Sequence, residues 1–160
     1  NSRMTSLESQ TLHETRDAVF VHDSWSQMLD YEEQKYCWIC GRCEWDKPDW
    51  YHAPWLLQRA HISAGSGRMR RLEDRRFAVL ACPRCHLVHS HSGAGRRVGG
   101  IDWPGISDAN MLWVKRERDA EWWDLEKIAD VWLGEVPEPE QPHKSYLDEY
   151  KQRRGICRKR

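Results

Sequence analysis

Two cysteine pairs of the same short spacing, Cys37-x-x-Cys40 and Cys82-x-x-Cys85, lie 41 residues apart and constrain this chain more than any other feature. Four thiolates from two such pairs close a tetrahedron around one Zn²⁺ ion and leave it no open coordination position, so the fold must bring the two turns together. Gly41, directly after Cys40, gives the first turn the permissive residue it needs. This favours Cys37 with Cys40 over the overlapping pair Cys40 with Cys43. Of the six cysteines, Cys43 and Cys157 are then expected to be spare thiols. A disulfide framework fits poorly, because no secretory leader is readable and the spacing is metal-like. A redox C-x-x-C would account for one pair and leave the other unexplained.

The 160 residues suit one domain with appendages, since soluble domains commonly run to about 100–200 residues. Residues 56–62 (LLQRAHI) and 76–81 (RFAVLA) read as short strands, and 86–92 (HLVHSHS) as a short helix ended by Gly93. GAGRRVGGIDWPG, 93–105, reads as turn-rich. A helix capped by Ser107 or Asp108 is expected to run to Arg118. A second follows over 120–134, where Trp122, Leu125, Ile128, Ala129 and Trp132 recur at three- and four-residue steps and Gly134 supplies the stop. The proline-bearing EVPEPEQP is a stiff linker to a last helix, 144–154. The expected class is α+β: a helical extension (1–35), a zinc-stapled core (36–95), a Trp-rich helical segment packed on it (96–136), and a linker, short helix and basic tail (137–160). No apolar run reaches the about 18 residues of a membrane span, so no membrane association and a cytoplasmic address are expected. The ten tryptophans are read mainly as core, with Trp103 the candidate for base stacking.

The net charge is zero, 25 basic against 25 acidic residues, but the charges are unevenly placed. Residues 59–97 hold nine arginines against Glu73 and Asp74 alone, and residues 151–160 hold six basic residues and no acid. A basic, glycine-bearing segment within a neutral protein is the footprint of a phosphate-backbone contact, which points to nucleic acid as partner and to Arg59, Arg68, Arg70, Arg71, Arg75 and Arg76 as its binding residues.

With the zinc filled by cysteines, His61, His86, His89 and His91 are left for other work. On a helix, His86 and His89 fall about 60° apart and His91 about 140° from His86, so His86 and His89 can serve one site. CWICG, then RAHIS, then FAVLACPRCH with a histidine nearby resembles the zinc-bearing HNH endonucleases of the ββα-metal class, over about residues 36–92. The resemblance implies a ββα core, His61 as general base, and His86 with His89 as ligands of a catalytic divalent metal (Mg²⁺, Mn²⁺, Ni²⁺ or Zn²⁺). It further implies hydrolysis of phosphodiester bonds in DNA to a 5′ phosphate and 3′ hydroxyl, and a phage or phage-derived setting in a host cytoplasm. Asp74 is the nearest polar candidate for the role of the family's central Asn, and Ala60 stands before the base.

Two other readings use the same residues. One is a noncatalytic zinc module that binds nucleic acid through its arginines; the other is an adaptor whose Trp-rich helices dock on phage packaging or replication proteins.

Overall fold

The computed structural model describes residues 36–43, 48–49, 57–62, 75–88 and 95–157. The N-terminal extension, the basic connection with Arg68, Arg70, Arg71 and Asp74, and both His89 and His91 lie outside the described residues. The class is α+β, with small antiparallel sheets and short helices.

Strand β1 (Gln58–His61) pairs antiparallel with β2 (Ala78–Ala81), with Arg59 opposite Leu80 and His61 opposite Ala78. β2 is Ala-Val-Leu-Ala and is buried at every position, as a short apolar run covered on both faces should be. Its other edge is used as well. Leu80 O accepts from Trp38 N at 3.0 Å, so the first cysteine turn is hydrogen-bonded to β2 on the side away from β1. That turn closes on itself through Cys37 N to Arg42 O at 2.9 Å and an antiparallel bridge between Tyr36 and Cys43. Gly41 is required twice over: its φ is +82°, and a Cβ there would come within 2.8 Å of Tyr150 O.

The chain leaves β2 through Cys82 directly into helix α1 (Pro83–Val88). The helix therefore starts three residues before His86, where the sequence suggested it would begin. Proline fits the first helical turn, where its missing N–H has no partner to lose, and His86 N donates to Cys82 O at 2.9 Å. Residues 93–105, expected to be turns, contain a hairpin instead, β3 (Arg96–Val98) with β4 (Ile101–Trp103). Gly99 and Gly100, at φ +62° and +79°, form the two-residue turn between them; positive φ at both central positions matches the twist of such a hairpin.

Helix α2 (Asp108–Arg118) has the capping box its sequence promised, with Asn110 N donating to Ser107 Oγ and Ser107 N to Asn110 Oδ1. It buries Met111, Leu112 and Val114. The expected single helix over 120–134 is divided into a 3-10 turn (Ala120–Trp122) and α3 (Leu125–Val131). Asp124 supplies the break, because its carboxylate caps Lys127 N at 3.1 Å and starts a new helix. The proline linker lies along the start of α2, held by Asn110 Nδ2 to the carbonyls of Glu140 and Gln141. It delivers α4 (Lys144–Cys157), three residues longer than expected, whose Tyr146 is fully buried and donates to Pro104 O at 2.8 Å. No described helix is long and apolar enough to cross a membrane.

Candidate metal centre

Cys37, Cys40, Cys82 and Cys85 come together, fully buried, with their sulfurs all within 4.8 Å of one another. Each turn aims its own backbone at its first sulfur: Cys40 N lies 3.5 Å from Cys37 Sγ, and Cys85 N 3.5 Å from Cys82 Sγ. The separation across the turns suits a metal. Metal–sulfur bonds of about 2.3 Å in a tetrahedron give sulfur–sulfur edges of about 3.8 Å, and Cys40 Sγ is 3.7 Å from Cys82 Sγ. The four cysteines therefore fit a structural metal ion in a closed site, and they are the single such cluster among the described residues.

The electrostatics of the cluster call for a cation. Burial pushes the Cys82 and Cys85 thiols well above the usual range, reinforced by their hydrogen bonds to Cys37. Burial opposes ionisation of Cys37 too, but the hydrogen bonds it accepts from Cys40, Cys82 and Cys85 outweigh that and hold it well below the usual range. Cys37 charges easily, and Cys82 and Cys85 do so only around a positive ion.

Arg84, between the two ligands of the second turn, is a residue the sequence reading passed over as one more member of the basic segment. It is buried, its Nη2 lies 3.6 Å from Cys85 Sγ, and it forms a fork with Glu149 of α4 at 2.7 and 3.2 Å. Burial works against its charge, but the sulfurs of Cys85 and Cys40 and the Glu149 carboxylate prevail and stabilise the guanidinium. Its plane lies 3.8 Å over Trp103, which also packs against Tyr146. Trp103 is thereby taken up in stacking within the protein, contrary to its expected availability for a base.

Cys43 is a second correction. It sits outside the cluster and is disulfide-bonded rather than a spare thiol; the side chain of Cys157 lies outside the described residues.

Among the residues assigned to catalysis, His86 is half-buried on α1 and its Nδ1 lies 2.8 Å from Gln58 Oε1 on β1. An amide oxygen only accepts, so Nδ1 carries the proton of this contact. Gln58, Pro83, His86 and Leu87 line an open depression. His61 is half-buried at the end of β1. The alternation of a strand puts it on one face with Arg59, and Gln58 with Ala60 on the other.

The arginines assigned to DNA separate. Arg59 and Arg76 are half-buried, and Arg76 lies beside Glu121, Trp122, Trp123 and Asp124 in a surface cleft. Arg75 is turned inward: it is 2% exposed and its guanidinium holds both oxygens of Asp119. A buried, paired cation is not presented to a phosphate, so the assignment of Arg75 to DNA is withdrawn.

Compared with known proteins, the chain matches no family model, no curated protein and no solved structure.

Proposed function

We propose that this chain is a metal-dependent endonuclease of the HNH type that hydrolyses phosphodiester bonds in DNA, with Zn²⁺ held by Cys37, Cys40, Cys82 and Cys85. The observation that carries the reading is the hydrogen bond from His86 to Gln58. A metal-binding histidine commonly donates its other ring N–H to an oxygen, which fixes tautomer and orientation. Gln58 does this for His86 from one face of the strand whose other face carries His61 and Arg59, while the cysteine cluster holds the foot of α1 immediately before His86.

In this reading His61 is the general base. A neutral imidazole has an ordinary pKa of about 6.5 and takes a proton from the attacking water near neutral pH. Arg59, on the same face of β1, positions the phosphate beside it, and Arg68, Arg70, Arg71 and Arg76 extend the contact along the backbone. His86 and His89 hold the catalytic divalent metal, which when bound stabilises charge on the phosphate and the departing 3′ oxygen.

Plasmid nicking by zinc-loaded protein supplied with Mg²⁺, Mn²⁺, Ni²⁺ or Zn²⁺ tests the proposal. Wild type should convert supercoiled to open-circular DNA with at least one of these ions, and His61→Ala should lose about 10²–10⁴ in rate while still binding DNA. Equal nicking by both proteins, or none by either, rejects the nuclease; DNA binding without nicking leaves the zinc-dependent binding module as the reading.

A further inference from the structure

The four-cysteine cluster and the C-terminal helix meet through two charged residues. Arg84 is 4% exposed, donates both Nη1 and Nη2 to Glu149 at 3.2 and 2.7 Å, and sets Nη2 3.6 Å from Cys85 Sγ. Glu149 also receives Arg42 Nη2 at 3.4 Å, and Arg42 follows the first cysteine pair. One carboxylate on α4 thus joins arginines from both cysteine turns. The backbone confirms the closeness, since Tyr150 O of α4 lies where a Cβ on Gly41 would go.

We propose that Arg84 and Glu149 couple metal occupancy at the cysteine cluster to the docking of α4, so that the metal holds the helix and the helix strengthens the metal site. The inference rests on the metal reading of the cluster, not on the nuclease reading. Four thiolates around a divalent ion carry a net charge of about −2. A buried guanidinium beside one of those sulfurs offsets that charge with an N–H···S hydrogen bond, as outer partners do in metal sites generally. Arg84 is held there from α4 by the planar fork to Glu149, and from the other side by Trp103, itself packed on Tyr146 of α4. Removing the helix would leave Arg84 without its carboxylate; removing the metal would leave Arg84 without the anionic cluster that it faces. Each event weakens the other by the same factor, because linkage is reciprocal. Arg84 is a positioning residue in this scheme, acting on the metal through Cys85.

The test uses the full chain. Glu149→Gln keeps the shape of the side chain and removes its charge, Arg84→Lys keeps charge and loses the fork, and Glu149→Asp is the conservative control. Zn²⁺ affinity is measured by competition with a chromophoric chelator, the sulfur-to-metal absorption bands are recorded with Co²⁺, and amide exchange of residues 144–155 is followed with metal bound. Glu149→Gln and Arg84→Lys should each weaken Zn²⁺ about tenfold or more, shift the Co²⁺ bands and speed exchange in α4, with Glu149→Asp recovering part of each. Variants that match wild type within twofold in affinity while remaining folded at saturating Zn²⁺ would overturn the coupling. So would a loss of affinity in Glu149→Gln with α4 exchange unchanged. Wild type that binds no Zn²⁺ at all would instead remove the metal reading beneath it.

Discussion

Arg75 places Nε and Nη2 on the two carboxylate oxygens of Asp119, at 3.0 and 2.7 Å, with both side chains buried. Lys115, one turn earlier on α2, reaches the same carboxylate at 2.5 Å and the carbonyl of Arg75 at 2.6 Å. Two cations share one anion in a region closed to water, so the anion is the member that cannot be removed. Asp119→Ala should destabilise the fold by about 3–5 kcal/mol, because it strands two buried charges. Chemical denaturation of folded, zinc-loaded protein measures this, and a loss below about 1 kcal/mol would place the pair among weak surface contacts.

The same geometry separates the arginines in the proposed DNA binding. Arg59→Ala and Arg76→Ala should each reduce the salt dependence of binding by about 0.9 on a double-logarithmic plot against duplex DNA. Arg75→Ala should lower stability and leave that slope unchanged at temperatures where the variant is folded. A slope reduced as much by Arg75→Ala as by Arg59→Ala would return Arg75 to the interface.

Much of this was legible in the sequence where one local rule governs. The paired cysteine spacing located the cluster, Ser107 marked the start of α2, and the apolar stretch before Cys82 marked β2. The β3–β4 hairpin was hidden because its two strands have three residues each and their Gly-Gly connection reads equally as loop. Arg75 and Arg84 were misread for another reason. Their partners, Asp119 and Glu149, are 44 and 65 residues away, and a charge run says nothing about which of its members will meet a distant carboxylate. The hydrogen bond that orients His86 joins residues 28 apart, and only the pairing of knuckle, strand and helix brings them together.

Gln58 gives the proposed site a prediction of its own. Gln58→Ala leaves the His86 ring without the acceptor that fixes its tautomer, so affinity for the catalytic metal should fall about 10–100-fold, with zinc content unchanged. Gln58→Glu, which keeps an acceptor, should retain more of it. Metal titration of nicking activity distinguishes the two, and a Gln58→Ala protein with wild-type metal dependence would count against His86 as a ligand.

Zinc binding should weaken as pH falls. With no metal ion between them, burial makes Cys82 and Cys85 hold their protons to well above the ordinary thiol range, so the metal must displace those protons and is favoured at higher pH. Each proton displaced makes the dissociation constant rise about tenfold for each unit of acidification. Competition titrations across neutral pH measure the slope, and an affinity independent of pH would show that the sulfurs are not the displaced groups.

Zinc K-edge X-ray absorption on the purified chain, paired with metal quantification, addresses the closed four-sulfur centre most directly. The proposed zinc site predicts one tightly bound zinc per chain with four sulfurs at about 2.3 Å and no nitrogen in its inner shell. A shell of mixed sulfur and nitrogen, or protein that folds without bound metal, would contradict it.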